Sequence, residues 1–146
     1  GAPMHKEANC WMLLANDLCF QAIKSKQLFL HTNGLQFRDF ITLSDTVKAI
    51  EYLIGCQISK LGDGLYNLGG SQSLREIDFA QNIAKRCNIV YGYEPNITRS
   101  KDATSYDLLE PLDYRIDKLL EAGFQLQGNG NDEIDATLRF CHNNFT

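Results

Sequence analysis

The sequence predicts an α/β domain built from short strands and four to five helices. Two observations support this prediction: apolar residues recur at helical spacing in several stretches, and short apolar runs bounded by glycine or asparagine turns lie between them. A chain of 146 residues with 44% hydrophobic residues can bury the core of one domain. We therefore expect a single unit over residues 1–146.

Composition and charge exclude several classes of function. The formal net charge is −4 and the basic residues are dispersed, so we expect neither a nucleic-acid partner nor a membrane partner. No apolar run approaches the roughly 20 residues of a membrane span, and the N-terminus lacks a signal-peptide pattern. Five cysteines without a CxxC pair and only three histidines predict no metal site. These observations predict a cytoplasmic protein with reduced cysteines in its core.

The first predicted helix contains the single tryptophan of the chain. Trp11, Leu14, Leu18 and Ala22 recur at helical spacing, which places Trp11 near the start of an amphipathic helix. An aromatic residue at such a position can pack in the core or serve as a platform for a ligand. Spacing alone leaves both interpretations open.

Residues 27–32 form a short apolar run before a Thr-Asn-Gly turn, and they predict a strand. The next extended stretch, residues 35–42, is expected to pair with it. His31 lies at the end of the first run, where acid–base chemistry near neutral pH is one interpretation and hydrogen-bonded packing is the other. We assign His31 contact and no catalytic role.

An arginine lies in the second of these strands. The alternation over residues 35–42 places Arg38 among bulky apolar neighbours, close to the start of the following helix. A guanidinium there could bind a phosphate or carboxylate through two parallel hydrogen bonds. It could also form a structural ion pair with Asp39 or another nearby carboxylate.

The helix after this strand is predicted to begin near residue 44. Ser44 or Asp45 is available to cap its first turn. Val47, Ile50 and Ile54 fall on one apolar stripe of this helix. A strand therefore runs almost directly into a capped helix.

Further elements are predicted in the second half of the chain. Residues 65–68 form a brief apolar run between glycine turns and predict a buried strand. Ser73 and Glu76 have the spacing of a capping box before a helix that extends to about residue 87. Residues 132–145 close the chain as an amphipathic helix.

The glycines near residues 62–70 do not form a dinucleotide-binding fingerprint. Gly62 and Gly64 precede a strand instead of linking a strand to a helix, and the pair Gly69 and Gly70 lacks a third spaced glycine. The sequence therefore predicts no NAD(P) site within this chain.

The stretch from Gly34 to Ile50 resembles a known family. Its run Gly-Leu-Gln-Phe-Arg-Asp-Phe-Ile, followed by Ser-Asp and Val-Lys-Ala-Ile, is similar to the G-x-Q-x-R-D-F-I-x-V-x-D-V-x-x-A-I run of the extended short-chain dehydrogenase/reductases. These are NAD(P)-dependent nucleotide-sugar epimerases, dehydratases and reductases. The similarity extends to the opening G-x-P, to a Y-N-I-G-like strand at residues 66–69 and to a helix over residues 116–122 that ends at Gly123.

The resemblance implies a site for the phosphates of a nucleotide sugar. Arg38 matches the family arginine that contacts the diphosphate. Arg99 and Asp102 match an R-x-x-D motif in which the arginine meets the phosphates and the aspartate accepts a hydrogen bond from a ribose hydroxyl. A solvated ion pair in a loop is the alternative for Arg99 and Asp102.

The resemblance also implies contacts to the rest of the ligand. Leu30 and His31 occupy the places where the family lays a strand along the nucleotide base. Trp11 falls near the position of a substrate-contacting segment. We therefore add Leu30, His31 and Trp11 to the predicted substrate-binding residues.

The resemblance covers essentially the whole chain but only the C-terminal half of an extended family member. The other half would carry the glycine-rich loop for NAD or NADP and the catalytic Ser/Thr, Tyr and Lys. Tyr114 and Lys118 match the YxxxK spacing but lie in the wrong half, so we assign no catalytic residue. Residues 1–146 are thus expected to form a substrate-binding lobe, a fragment of a longer enzyme that is inactive and binds no cofactor alone.

A second hypothesis comes from another class of protein. The chain could be a free-standing, non-catalytic binding or interaction module that has lost the redox half. A longer reading frame with a glycine-rich start would favour the fragment. In either case, loss of the other half would expose a strand edge and apolar surface, which favours homo-oligomers.

Overall fold

The computed structural model describes residues 1–57, 59, 61–100 and 110–146. Its described part is an α/β fold with five helices and four short strands, which confirms the predicted class. None of these helices is long and apolar enough to cross a membrane. The elements in chain order are α1 (Leu14–Lys24), β1 (Gln27–Leu30), β2 (Phe37–Asp39), α2 (Leu43–Gly55), β3 (Ser73–Arg75), α3 (Glu76–Tyr91), β4 (Asn96–Arg99), α4 (Asp117–Glu121) and α5 (Gly130–Phe145).

The main core lies between α1, α3, α5 and strand β1. Apolar residues at helical spacing on the three helices meet the alternate residues of β1 there, and full burial of one Leu or Ile side chain contributes about 1.5–3 kcal/mol to folding. All five cysteines are free thiols, and three of them lie in this core. Its fully buried members include Leu18, Ala22, Leu28, Leu30, Ile83, Cys87, Leu138 and Cys141.

A smaller core lies between α2, α4 and the segments on either side of α4. Ala49, Leu119 and Phe124 are buried in it. Gly123 has a φ of +106°, a conformation that favours glycine, at the end of α4. The sequence predicted this glycine cap, and the structure confirms it.

The two strands predicted to pair with each other belong to different sheets. Strand β1 pairs in parallel with β4, and β2 pairs antiparallel with β3. The connecting turn explains the difference: Gly34 has a φ of +80°, and its carbonyl accepts a hydrogen bond from the amide of Ile77 at 2.9 Å. This bond directs the chain toward the start of α3, where β3 is the available partner for β2.

The predicted capping box at the start of α3 is wrong. Ser73 belongs to strand β3, and the helix begins at Glu76 after Arg75, whose side chain makes no capping hydrogen bond. The Ser73 hydroxyl instead accepts a hydrogen bond from the amide of Leu112 at 2.7 Å. Pairing with β2 keeps residues 73–75 extended, so the helix cannot begin earlier.

The strand predicted over residues 65–68 is also wrong. Within the described part of the chain this segment pairs with no strand, and Leu65 is 74% exposed. Hydrogen bonds from side chains hold the segment instead: Nζ of Lys118 donates to the Leu65 carbonyl at 2.7 Å, and Nδ2 of Asn67 donates to the carbonyl of Arg115 at 3.0 Å.

Helix α2 differs from the prediction in its cap and in its orientation. Thr42 is the N-cap, and its hydroxyl accepts a hydrogen bond from the amide of Asp45 at 3.0 Å. The predicted stripe of Val47, Ile50 and Ile54 faces outward, at 47%, 50% and 79% exposure. The opposite side of α2 packs in the smaller core.

Candidate functional site

A buried carboxylate organises the loop between β1 and β2. Glu76 is the first residue of α3, and its side chain is only 6% exposed. Its Oε1 accepts a hydrogen bond from Nε of Arg38 at 3.1 Å, and its Oε2 accepts one from the Thr32 hydroxyl at 2.5 Å. A negative charge at the start of a helix is favourable because of the helix dipole. Glu76 thereby fixes both the loop and the arginine that follows it.

Arg38 is anchored along one edge of its guanidinium. Besides the bond to Glu76, Nη2 donates to Oε1 of Gln36 at 2.8 Å, and the side chain is 54% exposed. These two bonds come from Nε and Nη2. The outer edge of a guanidinium, formed by Nη1 and Nη2, carries two parallel N–H groups, which is the arrangement that binds a phosphate or carboxylate bidentately.

Arg38 forms the structural ion pair that was considered from the sequence, but its partner is Glu76 and not Asp39. Asp39 accepts hydrogen bonds from the amides of Gly70 at 2.6 Å and Gln72 at 3.1 Å. Glu76 takes its place beside Arg38, from a helix 38 residues further along the chain. The Asp39 carboxylate therefore binds the backbone of the loop after residue 69.

Arg99 contacts the same loop at another residue. It ends strand β4, where its register partner is Leu30 of β1. Its Nη1 donates to the carbonyl of Asn33 at 3.2 Å. The loop of residues 32–36 is thus contacted by both arginines, with Arg38 at Gln36 and Arg99 at Asn33. Asp102 lies outside the described residues.

The two residues of strand β1 that were expected to contact the nucleotide base, Leu30 and His31, differ in exposure. The Leu30 side chain is 1% exposed and belongs to the main core. Its carbonyl accepts a hydrogen bond from the amide of Ser100 at 3.0 Å. His31 is exposed, and its ring meets that of Phe29 edge-on, with ring centroids 5.0 Å apart. Phe29 was not predicted, although alternation along a strand places it on the same side as His31.

Trp11 lies apart from the two arginines. It precedes α1 instead of beginning it, and its indole N–H donates to the carbonyl of Lys6 at 2.9 Å. Its ring packs with Phe20, Phe140 and Phe145, at centroid distances of 5.0 to 6.0 Å. These contacts connect α1 with α5, so the structure does not bring Trp11 to the loop of residues 32–36.

A second anchored carboxylate lies in α2 and was not predicted as such. Asp45 accepts hydrogen bonds from the amides of Gln127 and Gly128, each at 2.9 Å, and from the Thr42 hydroxyl at 2.8 Å. Burial alone would raise the pKa of the Asp45 carboxyl, but these hydrogen bonds outweigh burial and lower it. Asp45 therefore ties α2 to the loop before α5.

The glycine pair after residue 68 serves close packing. A Cβ atom on Gly70 would lie 1.8 Å from the carbonyl oxygen of Phe40, so this backbone approach admits only glycine. Neither this pair nor Gly62 and Gly64 opens a helix after a strand. The described residues therefore do not fit an NAD(P) phosphate cradle.

The lysine of the YxxxK pattern has other partners. Lys118 forms an ion pair with Asp63 and donates to the Leu65 carbonyl. Its ammonium also lies 4.8 Å from the ring centroid of Tyr66. Lys118 thus joins α4 to the segment of residues 63–66. In the described residues, no group of three or more His, Cys, Asp or Glu side chains could hold a metal ion.

The fold is shared with part of several solved nucleotide-sugar dehydratases and epimerases. It superposes on dTDP-glucose 4,6-dehydratase from Bacillus anthracis, solved in complex with NAD, with a TM-score of 0.64 and 17% identity over 90% of this chain and 39% of that one. The NAD-dependent NDP-hexosamine 5,6-dehydratase TunA, of tunicamycin biosynthesis, gives a TM-score of 0.63 and 22% identity over 96% and 42%.

A third neighbour is UDP-N-acetylglucosamine 4-epimerase from Bacillus cereus, with a TM-score of 0.58 and 22% identity over 90% of this chain and 39% of that one. No protein-family model and no curated protein sequence matches this chain. At these identities the likeness establishes the fold. The chain spans about two fifths of the length of the solved structures it matches.

Proposed function

We propose that this chain is the nucleotide-sugar-binding portion, the C-terminal lobe, of an NAD(P)-dependent epimerase, dehydratase or reductase. The observation that carries this proposal is that Arg38 and Arg99 contact one loop, residues 32–36, from two separate strands. Solved proteins of the same fold act on dTDP-glucose, an NDP-hexosamine and UDP-N-acetylglucosamine, so a nucleotide sugar is the ligand class this fold favours.

The chemistry of the two arginines suits a diphosphate. Glu76 fixes the guanidinium plane of Arg38 from its inner edge, so the two N–H groups of the outer edge are oriented before the ligand arrives. Arg99 adds a second positive charge at the other end of the same loop. A diphosphate has oxygens to accept from both, whereas a single carboxylate would use only one of them.

Three other predicted residues have roles in this proposal. We assign Asp102, three residues beyond Arg99 in the sequence, to a ribose hydroxyl. His31, with Phe29 beside it, supplies an exposed aromatic surface on β1 against which a base could pack. Leu30 supports that strand from the core, so its part in the site is limited to its backbone.

The catalytic residues and the NAD or NADP site belong, in this proposal, to a portion of the enzyme that this sequence does not contain. When bound there, the cofactor would supply the hydride chemistry. This chain's own residues bind the phosphates and orient the sugar. The chain alone is then inactive in oxidoreductase and epimerase assays.

Calorimetric titration of the 146-residue chain with dTDP-glucose, UDP-N-acetylglucosamine and NAD tests the proposal. We expect saturable binding of at least one nucleotide sugar and no NAD binding tighter than about 1 mM. Arg139→Ala is the matched control, because it removes an exposed positive charge on α5, away from the loop. Saturable NAD binding, or no binding of any nucleotide sugar, would overturn the proposal.

A further inference from the structure

The α5 cleft, defined as the space between the loop before β3, helix α3 and the start of α5, has a volume of about 660 Å³. Sites for small molecules in proteins have volumes of about 300–1,000 Å³. Neither Arg38, nor Arg99, nor any residue of the loop 32–36 is among the described residues that line the cleft. The α5 cleft therefore uses different side chains from the candidate site for the phosphates.

Part of the cleft lining is apolar and is fixed by the fold. Phe40 and Phe79 are stacked there, with ring centroids 3.8 Å apart and ring planes within 6° of parallel. Leu74, Leu126 and Ile134 complete this part of the lining. Four of the five side chains belong to the main core or pack against it, so their positions do not depend on a ligand.

The polar part of the lining consists mainly of side-chain amides. Gln72 lies in the loop before β3, Asn82 lies on α3, and Asn129 and Asn131 lie at the start of α5. Nδ2 of Asn82 donates a hydrogen bond to Oδ1 of Asn131 at 2.9 Å. A carboxamide has two donor hydrogens and an oxygen that accepts two hydrogen bonds, so this bond uses only part of the capacity of the pair. The two side chains can therefore both donate to a ligand and accept from it.

The loop before β3 is held in place by Asp39. Its carboxylate accepts hydrogen bonds from the amides of Gly70 at 2.6 Å and Gln72 at 3.1 Å, on either side of Ser71. Ser71 has a φ of +55°, which non-glycine residues rarely adopt. Such conformations persist where the surroundings hold them, and they are frequent at ligand sites. The loop is thus ordered before a ligand binds, which lowers the entropic cost of binding.

Charged side chains are scarce in the lining. Among the described lining residues, Asp45 is the one ionisable side chain, and it is 3% exposed. Its carboxylate already accepts hydrogen bonds from the amides of Gln127 and Gly128 and from the Thr42 hydroxyl. A charged ligand would lose hydration here without gaining a partner of opposite charge, which is unfavourable. The lining therefore favours an uncharged ligand.

We propose that the α5 cleft is a second binding site, for a neutral monosaccharide or disaccharide. Each sugar hydroxyl donates and accepts hydrogen bonds, which matches the mixed donors and acceptors of the amide side chains. The C–H surface of the sugar ring packs on the apolar part of the lining. A purely apolar ligand would leave the amides without partners, which is unfavourable. This inference does not depend on the proposed function.

Proton–nitrogen correlation NMR of the 146-residue chain tests the inference, because it observes the side-chain amides of Asn and Gln directly. The neutral probes are glucose, cellobiose, maltose and N,N′-diacetylchitobiose, and the charged probe is glucuronate. We expect at least one neutral probe to shift the side-chain signals of Gln72, Asn82 and Asn131 saturably, with a Kd below about 10 mM. Glucuronate should bind more weakly than glucose.

Substitutions on the two sides of the cleft provide a second readout. Asn82→Leu should weaken saccharide binding about tenfold, because leucine is similar in size and forms no side-chain hydrogen bond. Gln72→Ala should also weaken it. Gln81→Leu is the matched control, since Gln81 is an exposed neighbour on α3 that is not among the lining residues, and it should bind as wild type does. Thermal denaturation verifies that all three variants are folded.

Several outcomes would overturn the inference. They are the absence of saturable shifts with every neutral probe, shifts confined to other amides, tighter binding of glucuronate than of glucose, and equal saccharide binding by wild type and Asn82→Leu. Loss of saccharide binding in Arg38→Ala would also overturn it, because the sugar would then occupy the site of the nucleotide sugar. If the chain binds no nucleotide sugar, saccharide shifts at Asn82 and Asn131 would still be observed, so the two proposals fail separately.

Discussion

Nε of Arg38 lies 3.1 Å from Oε1 of Glu76, and the two side chains differ widely in exposure, at 54% and 6%. The carboxylate is the buried partner and the guanidinium the accessible one. An ion pair with a solvent-exposed guanidinium contributes little to stability, but the buried Glu76 carboxylate orients the Arg38 guanidinium. The structural and the functional interpretations of Arg38 are therefore compatible: the side chain binds Glu76 and Gln36, and it is still 54% exposed.

Arg38→Ala should weaken binding of a nucleotide sugar by about 2–5 kcal/mol, because the diphosphate loses a bidentate partner. Arg38→Lys should recover only part of this loss, since an ammonium cannot reproduce the planar fork. Calorimetry measures both, with Arg139→Ala as the control of equal charge change. Equal affinities for wild type and Arg38→Ala would show that the phosphates bind elsewhere.

Leu30→Ala should cost about 2–5 kcal/mol of folding free energy, because this side chain is fully buried in the main core. Phe29→Ala, at the neighbouring outward position, should cost much less stability and should lower the affinity for the nucleotide sugar. Urea denaturation and calorimetry separate the two effects. A stable Leu30→Ala variant with impaired binding would contradict the assignment of Leu30 to the core.

Asp45→Ala should destabilise the fold by about 2–4 kcal/mol, since the amides of Gln127 and Gly128 and the Thr42 hydroxyl lose a charged acceptor. Urea denaturation measures the change. Asp132→Ala, which removes an exposed carboxylate from the first turn of α5, is the control and should cost less than about 1 kcal/mol.

The free energy of unfolding should decrease in acid because the carboxyl groups of Asp45 and Glu133 become protonated. Burial alone would raise the pKa of Glu133, but hydrogen bonds from the amides of Ser44 and Leu43 outweigh it, so its pKa in the folded protein lies below the ordinary 4.5. The pKa of Asp45 likewise lies below 3.8. A carboxyl whose pKa is lower in the folded protein stabilises the fold fully at a pH above its ordinary pKa. This stabilisation is lost as the pH falls through the folded-state pKa.

The free energy of unfolding should therefore change little between pH 7 and about pH 5 and decrease below about pH 4.5. Urea denaturation at pH 7, 5, 4 and 3 measures it. The decrease should be shallower in Asp45→Asn, which has one carboxyl fewer to protonate. An Asp45→Asn variant with the same acid slope as wild type would exclude Asp45 as a contributor.

Features set by residues near each other in the sequence were predictable. Periodicity located α1, α2 and α5, and Gly123 predicted the end of α4. Arg38 was selected as a candidate ligand-binding residue from its own local pattern and from the family resemblance. Its partner was not, because Glu76 reaches it through the fold and nothing at residues 35–42 identifies which carboxylate will be close.

The wrong strand predictions share one physical cause. An apolar run indicates an extended segment but does not specify its partner, so residues 27–32 and 35–42 were paired by proximity in the sequence. The turn after Thr32 and the amide of Ile77 decide the pairing instead. Residues 65–68 have the pattern of a buried strand, but within the described part of the chain they pair with no strand and Leu65 is 74% exposed.

A crystal structure of this chain with UDP or dTDP tests the central claim most directly. We expect diphosphate oxygens within about 3 Å of the outer edge of Arg38 and of the Arg99 guanidinium, with Nε of Arg38 still bonded to Glu76. A diphosphate bound away from the loop of residues 32–36 would contradict the claim. So would guanidinium groups more than about 15 Å apart, because a diphosphate spans well under about 10 Å.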